Sequence, residues 1–265
     1  MRIGTRGSAL ALAQANWVAE RIGGEIVVLR TSGDAGMTGD KSRWVDAIEA
    51  ALVAGEIDVA VHSAKDVPGE LAEGTEIVAT PPRAAAHDLL IGDGRRIGTS
   101  SLRRRAQLMA EDPEREVVEL RGNVDTRLRK LADGEVDALV LAAAGLARLG
   151  RDERGRALDG ELFVPAAGQG VLALQARTGD QRTAALNDGA TFACLTAERA
   201  AVRVLGADCH TPVGIHADGD RVRGFVGRPD GSAWVLDEVE GFDGETLAHR
   251  MLAAGAMEIL AAARP

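Results

Sequence analysis

The feature that most constrains the fold is a pair of segments that each occur twice, in the same order. RIGTRGSALA begins at Arg2 and RIGTSSLRRR at Arg96, whereas GEIDVAVHSAKDV begins at Gly55 and GEVDALVLAAAGL at Gly134. In the first pair, a short strand ends in Gly-Thr and serines precede a helical pattern of apolar residues. In the second pair, a glycine that can end a helix leads into a buried strand. The repeated order predicts two related α/β halves, although any two strand–helix units share part of this pattern.

Strands that alternate with helices predict mainly parallel sheets with helices on both faces. In such sheets, ligands bind at the carboxyl ends of the strands, beside helix N-termini. The serine-rich turns after Thr5 and Thr99 lie at such ends, and so does the polar segment His62–Asp66. For His62 and Ser63 we expect strand-end packing and hydrogen bonding.

The pattern changes after about residue 188. TFACLTAERAAVRVLG predicts a helix, the following segment predicts three strands, and DGETLAHRMLAAGAMEILAAA predicts one closing helix. Turn residues at Asp218-Gly219 and Pro229-Asp230-Gly231 separate the strands. This part of the chain is therefore expected to be a small α+β domain with an antiparallel sheet. The expected domains are 1–81 with 171–187 (first α/β lobe), 82–170 (second α/β lobe) and 188–265 (C-terminal α+β domain).

The composition excludes several classes of protein. The net charge of −9 argues against a nucleic-acid binder, and four Phe, three Trp and no Tyr make base-stacking platforms unexpected. The longest apolar run, Ala138–Ala147, is far shorter than the roughly 20 residues of a membrane-spanning helix. Two cysteines favour a reducing compartment, and the N-terminus reads as a strand and a helix rather than a signal peptide. We expect a soluble, cytoplasmic protein.

A basic zone stands out against this acidic background. Residues 93–130 contain ten Lys plus Arg and seven Asp plus Glu. Arg103–Arg105 fall in the first turn of a predicted helix, where cations are unfavourable unless an anion binds there. The alternative interpretation is a basic face that is simply solvated. If an anion does bind, phosphate is the alternative to carboxylate, although no Walker-type loop is present. The pattern favours a site for several carboxylates, formed by the arginines near predicted strand ends: Arg6, Arg103, Arg104, Arg121 and Arg127, with donors from Thr99, Ser100 and Ser101.

Cys209 falls in a predicted loop, within LGADCHTPVGIHA. Cys209 and His210 are too few ligands for a metal site, and no metal is expected. Two interpretations stay open for this thiol, a buried structural cysteine and a point of covalent attachment. Cys194 lies in an apolar helical pattern and is predicted to be a core residue.

Taken together, the segments resemble one known family along essentially the whole chain. They are RIGTRGSALALAQ, VAVHSAKDVP, IGTSSLRRRAQL, LRGNVDTRLRKL, LAAAGLARLG, VPAAGQGVLALQ, TAERA and GADCHTPVG. Their order and joint presence are similar to the hydroxymethylbilane synthase (porphobilinogen deaminase) family.

The resemblance implies two lobes like those of type II periplasmic binding proteins, plus a third, C-terminal domain. It implies a transferase that joins four porphobilinogen molecules head to tail, with loss of ammonia, onto a covalent dipyrromethane cofactor, and then releases hydroxymethylbilane. Cys209 corresponds to the cysteine that carries the cofactor through a thioether, and Asp66 to the catalytic aspartate. The family also suggests a monomer. The implied contacts to cofactor and substrate come from Arg6, Ser8, Lys65, Thr99, Ser100, Ser101, Arg103, Arg104, Arg121, Arg127, Arg148 and Gln169.

The chain departs from the family pattern in the loop TGDKSRWVDAIEA, where Lys41 and Trp44 match only loosely. His210 also replaces the more usual Gln or Ser after the cofactor cysteine. Changes in a lid loop affect turnover and product release. Two other hypotheses therefore stay open: a binding protein for a multi-carboxylate ligand without catalysis, and a paralogue that loads the cofactor but turns over poorly.

Overall fold

The computed structural model describes residues 1–31, 42–208 and 211–263. The chain divides into two compact units. The first unit comprises Met1–Ala84 with Gly170–Ala193, and the second comprises Ala85–Gln169 with Cys194–Pro265.

The first unit is built on a five-stranded sheet. Three neighbouring strands run parallel, and a strand from the second chain segment of the unit runs antiparallel to both of its neighbours. The order across the sheet is β2-β1-β3-β10-β4. Its strands are β1 (Arg2–Arg6), β2 (Glu25–Leu29), β3 (Val59–Ser63), β4 (Thr75–Ala79) and β10 (Leu172–Arg177).

Two helices cover the opposite faces of this sheet, α1 (Ala9–Ile22) and α2 (Ser42–Val53). Val59 and Val61 share a core cluster with Val18 of α1, whereas Ala60 packs with Ile48 of α2. The alternation follows from the period of two in a strand, which sends successive side chains to opposite faces. Helices on both faces of a mainly parallel sheet confirm the predicted arrangement.

The first part of the second unit repeats this plan. Its sheet has the order β7-β6-β8-β5-β9, with three parallel strands followed by an antiparallel strand and an edge strand. The predicted relation between the two halves is therefore confirmed at the level of strand order. The elements are β5 (Asp88–Gly92), β6 (Arg96–Gly98), α3 (Leu102–Glu111), β7 (Glu116–Val118), α4 (Val124–Ala132), β8 (Ala138–Ala142), α5 (Ala143–Arg148) and β9 (Arg156–Leu158).

The C-terminal part packs three helices and a three-stranded antiparallel sheet around one core. Its elements are α6 (Gly189–Val204), β11 (Val213–Ala217), β12 (Arg221–Gly227), β13 (Trp234–Glu240), α7 (Gly244–Ala253) and α8 (Ala256–Ala263). The prediction of a single closing helix was wrong, because Gly255 adopts a φ of +99° and ends the first of two helices. Cys194 is buried in this core, as predicted.

The observed elements confirm the fold class, two α/β lobes with a small C-terminal α+β part. Within the described residues, no helix is both long enough and apolar enough to cross a membrane.

Candidate active site

In the first unit, β3 leads directly into a short 3-10 helix, Ala64–Asp66, that carries two of the predicted site residues. The backbone N–H of Ala64 donates to the carbonyl of Val171 at 3.0 Å, and Ala64 is buried. The buried alanine fixes the turn, and Lys65 and Asp66 remain half-buried at the carboxyl end of the strand. The polar end of an apolar strand is thus held in regular structure rather than in a solvated loop.

Asp66 lines a pocket of about 60 Å³. Arg6, at the end of β1, and Ser8, the N-cap of α1, line the same pocket. Ser8 accepts a hydrogen bond from the backbone N–H of Ala11 at 3.3 Å, so that its side chain completes the first turn of the helix. The structure therefore brings together three of the four residues predicted in this unit; Lys65 is adjacent in sequence but does not line the pocket.

Gln14 and His62 also line the pocket, and both are buried. Gln14 donates from Nε2 to Oγ of Ser63 at 2.8 Å. Nε2 of His62 lies 3.1 Å from Oε1 of Gln175. The expectation that His62 and Ser63 form strand-end hydrogen bonds is confirmed, and Gln14 and Gln175 are partners that the sequence analysis did not name.

The environment keeps His62 uncharged at neutral pH. Burial lowers the pKa of His62 to about 4, and the positive charge of Arg6 acts in the same direction. The hydrogen bond with Gln175 and the charge of Asp66 oppose this shift without reversing it.

In the second unit, the turn Thr99–Ser101 connects β6 to α3. Oγ1 of Thr99 accepts a hydrogen bond from the N–H of Ser101 at 3.2 Å, and Ser101 in turn accepts one from the N–H of Arg104 at 3.4 Å. Of the two serines that could cap the helix, Ser101 is the N-cap, and Ser100 is exposed.

Arg103 and Arg104 are buried and share one carboxylate, that of Asp88. Nη2 of Arg103 lies 2.8 Å from Oδ2 of Asp88, and Nη2 of Arg104 lies 2.6 Å from Oδ1. Burial opposes ionisation of Asp88, but the charges of Arg104 and Arg103 and their hydrogen bonds outweigh it and hold its pKa well below the usual range. The sequence pattern predicts both guanidinium groups as available to a ligand, and it does not indicate their partner, Asp88. Its only local signal is an acidic residue at the start of the apolar strand DLLIG.

The two arginines differ in the groups that they contact. Nη1 of Arg103 donates to Oε1 of Gln107 and to the carbonyl of Val164, both at 3.0 Å. Arg104 donates from Nη1 to the carbonyl of Val140 at 3.0 Å, and its buried Nε has no hydrogen-bond partner among the described residues. Protein groups thus engage Arg103 more completely than Arg104.

Gln169 belongs to the same cluster. Its Nε2 donates to Oδ1 of Asp88 at 2.9 Å and to the carbonyl of Ala86 at 2.5 Å, and its Oε1 accepts from Arg103 at 3.4 Å. Gln169 is 1% exposed, so its amide supports the ion pairs from within the fold.

Arg127 lies on the inner side of α4, which Asn123 caps. Its Nε donates to the carbonyl of Gly122 at 2.8 Å, and its Nη2 donates to Oγ of Ser100 at 3.1 Å. Burial lowers the pKa of Arg127 to about 10, and the charge of Arg104 acts in the same direction. No carboxylate of the described residues forms an ion pair with it. A guanidinium group in such surroundings is stabilised by an anionic ligand.

The remaining predicted arginines differ in their environments. Burial lowers the pKa of Arg148, at the end of α5, to about 10. Arg121 is exposed, and its Nε lies 2.6 Å from Oε1 of Glu119. Cys209, His210, Lys41 and the side chain of Trp44 lie outside the described residues. In the part of the chain that is described, no group of three or more His, Cys, Asp or Glu side chains could hold a metal ion.

The fold and these side chains define a class, α/β proteins with basic and hydroxyl side chains near the carboxyl ends of their strands. Solved structures that resemble the chain include an ABC transporter protein from Parabacteroides distasonis (TM-score 0.42, 15% identity, 69% of this chain and 68% of that chain). Another is the L-cystine solute receptor of Neisseria gonorrhoeae (TM-score 0.36, 16% identity, 69% of this chain and 81% of that chain).

Sequence comparisons identify the family. Residues 1–185 match the family model "Porphobilinogen deaminase, dipyromethane cofactor binding domain", and residues 192–253 match "Porphobilinogen deaminase, C-terminal domain". The chain is 43% identical to the porphobilinogen deaminase of Deinococcus radiodurans, over 99% of this chain and 98% of that protein. It is 42% identical to that of Trichlorobacter lovleyi, over 98% of this chain and 95% of that protein. The chain belongs to the porphobilinogen deaminase family, which confirms the resemblance seen in its sequence.

Proposed function

We propose that Asp66 is the catalytic carboxylate of a hydroxymethylbilane synthase, the activity of the porphobilinogen deaminase family. The enzyme joins four porphobilinogen molecules head to tail, releases one ammonia at each addition, and finally releases hydroxymethylbilane. The observation that carries the assignment is the position of Asp66, half-buried at the end of β3 in a pocket that also contains Arg6 and Ser8.

The chemistry needs a fixed negative charge. The aminomethyl group reacts in its protonated, ammonium form: when its C–N bond breaks, the nitrogen leaves with the electron pair as ammonia, and the pyrrole that remains carries the positive charge. A carboxylate held near the pyrrole ring stabilises this cation, and it can transfer protons as the new carbon–carbon bond forms. A preorganised charge in a site of low water content supplies several kcal/mol, and acid–base assistance contributes about 10²–10⁴-fold. The 3-10 helix holds Asp66 in place before the substrate arrives.

The residues of the second unit fit a dipyrromethane cofactor, which carries several carboxylates. The donor set is basic, the buried Nε of Arg104 lacks a partner among the described residues, and Arg127 is half-buried without a carboxylate there. When bound, the cofactor supplies the covalent primer to which the first substrate is joined. By family resemblance, Cys209 provides the thioether.

We assign the carboxylates of cofactor and substrate to the basic and hydroxyl groups of each unit. In the first unit these are Arg6, Ser8 and Lys65. In the second unit, Arg104 and Arg127 are the strongest candidates. Burial disfavours their positive charge, so a nearby anion stabilises these two side chains most. Arg103 and Gln169 support Arg104 through their shared partner Asp88. The other proposed contacts in this unit are Thr99, Ser100, Ser101, Arg121 and Arg148.

Intact mass and rate measurements test this proposal. The wild-type chain should carry an adduct of two pyrrole units. Cys209→Ser should lose the adduct and Cys194→Ser, the matched control, should keep it. Asp66→Asn should keep the adduct but form bilane at least 10²-fold more slowly, whereas Asp93→Asn, an exposed control, should match the wild type.

Each alternative gives a different result. An unmodified wild-type mass in protein from a haem-competent host contradicts the transferase and favours a simple binding protein. An adduct with little turnover in the wild type indicates a paralogue that only loads cofactor. An Asp66→Asn variant that retains most of the activity contradicts the role of Asp66.

We further propose that the enzyme is a cytoplasmic monomer with three domains, 1–81 with 171–187, 82–170 and 188–265. The acidic composition and the two cysteines support the compartment, and the family suggests the monomer. Light scattering on the cofactor-loaded protein should give a mass near 27.7 kDa; a dimer mass contradicts this part of the proposal.

A further inference from the structure

The hydrogen bonds around Gln175 determine which nitrogen of His62 carries a proton. Nε2 of Gln175 donates to Oε1 of Glu49 at 2.7 Å and to Oγ1 of Thr75 at 2.8 Å. The hydroxyl of Thr75 donates its own hydrogen to the carbonyl of Ala72 at 2.6 Å, so it can only accept from Gln175. Both amide hydrogens are therefore used, and the orientation of the amide is fixed because Glu49 can only accept.

It follows that Oε1 of Gln175 is the acceptor in the contact with His62. Nε2 of His62, 3.1 Å away, must donate, so the neutral ring carries its hydrogen on Nε2. Nδ1 then has a free lone pair and no hydrogen. The network spans β3, β10, β4 and α2, and Gln175 at its centre is completely buried.

Nδ1 of His62 is the ring nitrogen that the Gln175 network leaves without a partner. Among the described residues no group hydrogen-bonds this atom. His62 lines the pocket that contains Asp66.

We propose that Nδ1 of His62 is a substrate-binding acceptor, which receives a hydrogen bond from a pyrrole N–H in the pocket. The inference rests on the proposed function, because it takes its ligand, an aminomethylpyrrole or the pyrroles joined from it, from that reaction. A pyrrole N–H is a donor without an acceptor, so it suits an unprotonated ring nitrogen and is not satisfied by Arg6. His62 thereby orients the ring, and Asp66 carries the charge stabilisation.

The charge state of the ring supports this role. The pKa of His62 is lowered to about 4, chiefly by burial and further by Arg6, so Nδ1 stays an acceptor throughout the neutral range. Among the described residues, Asp66 and Arg6 are charged groups that act on it. A protonated ring would offer a second donor in place of the acceptor and would repel Arg6.

Two substitutions of His62 distinguish the role of its Nε2 from that of its Nδ1. In His62→Gln, the amide nitrogen can take the place of Nε2 and keep the hydrogen bond to Gln175, but the acceptor at Nδ1 is lost. In His62→Asn, the amide oxygen can take the place of Nδ1, but the donor to Gln175 is lost. The wild type and both variants are assayed as cofactor-loaded enzyme, with intact mass, thermal midpoint, kcat and KM for porphobilinogen measured on each.

We expect His62→Gln to keep its adduct and its thermal midpoint but to lose about tenfold in kcat/KM, mainly through a higher KM, as for one lost hydrogen bond. His62→Asn should melt at a lower temperature yet have a higher kcat/KM than His62→Gln. Wild-type kcat/KM in His62→Gln overturns the proposal, and so does a kcat/KM of His62→Asn no higher than that of His62→Gln. A failure of the proposed function itself is distinguishable, because the wild type would then form no bilane.

A measurement on the wild type keeps the inference testable if a variant does not fold. ¹⁵N-labelled histidine should show His62 with a proton on Nε2 and none on Nδ1 at neutral pH. The Nδ1 resonance should move on addition of porphobilinogen. A proton on Nδ1, or an Nδ1 resonance that porphobilinogen leaves unchanged, contradicts the proposal.

Discussion

Oδ1 of Asp88 accepts a hydrogen bond of 2.6 Å from Nη2 of Arg104, and both side chains are more than nine-tenths buried. The other oxygen of the same carboxylate binds Arg103. One buried acid thus compensates two buried guanidinium groups, and the cluster keeps an excess positive charge. A carboxylate ligand can therefore bind to a site that is already assembled.

Removal of the charge of Asp88 should destabilise the fold strongly. Asp88→Asn leaves two guanidinium groups buried without a carboxylate partner, and the loss of one member of a buried ion pair costs about 3–5 kcal/mol. Urea unfolding of the loaded enzyme at pH 7 should show this decrease in the free energy of unfolding. The exposed control Asp93→Asn should change it by less than about 0.5 kcal/mol. Equal stabilities for the two variants contradict a structural role for the Asp88 ion pairs.

Substitution of Arg127 should weaken substrate binding. Arg127→Gln removes a half-buried cation that has no carboxylate partner among the described residues. A hydrogen bond to a charged group contributes about 1.5–3 kcal/mol, so KM for porphobilinogen should rise at least tenfold, or cofactor loading should fall in the intact mass. Arg129 is exposed on the same helix, and Arg129→Gln is the matched control, expected to behave as wild type. Similar kinetics and mass for both variants indicate that Arg127 does not bind the substrate or cofactor.

The sequence predicts those parts of the structure that depend on neighbouring residues. Ser8, Ser101 and Asn123 cap their helices, and such caps depend on local sequence because an N-cap bonds a backbone N–H only two or three positions away. Gly55 and Gly134 follow helices with positive φ, as predicted. These local signals, repeated in both halves, were sufficient to predict the two related lobes.

The partners of the site residues could not be predicted, because they come from distant positions. Asp88 is 15 positions from Arg103, and Gln175 is 113 positions from His62. A single sequence indicates which residue types lie at strand ends, but it does not indicate which distant side chains form hydrogen bonds or ion pairs with them. It therefore indicated the arginines and Asp66 as site residues, but not that a buried acid engages two of those arginines.

The stability of the protein should fall between pH 6.5 and pH 4, in part because of His62. The folded pKa of His62 is about 4 and the usual value is 6.5, so the unfolded chain binds a proton in this range that the folded chain does not. The contribution is fully present above pH 6.5 and is lost as the pH falls to about 4, by about 3 kcal/mol in total. Urea unfolding across this range should show a smaller decrease for His62→Gln than for the wild type. The exposed control His249→Gln should follow the wild-type curve; a His62→Gln curve of wild-type slope contradicts the assignment.

The charge of Asp58 should stabilise the first unit at neutral pH, and this stabilisation should be lost only as the pH falls to about 2. Its Oδ2 accepts a hydrogen bond of 2.7 Å from the backbone N–H of Arg2, and Arg182 lies 3.4 Å from its Oδ1. The hydrogen bond from Arg2 is the largest cause that lowers the pKa of Asp58 from 3.8 to about 2. A carboxyl group with a lowered folded pKa contributes stability that is fully present above its unfolded pKa and is lost as the pH falls through its folded pKa.

Asp58→Asn should therefore lower the free energy of unfolding at pH 7 by about 1 kcal/mol, a value reduced because solvent screens the surrounding ion pairs. The difference from the wild type should shrink below pH 4 and vanish near pH 2. Asp220→Asn, at an exposed position, is the control and should leave the curve unchanged. Urea unfolding between pH 7 and pH 2.5 measures both curves. A difference that persists undiminished at pH 2.5 would mean that the substitution acts through packing and not through the charge of Asp58.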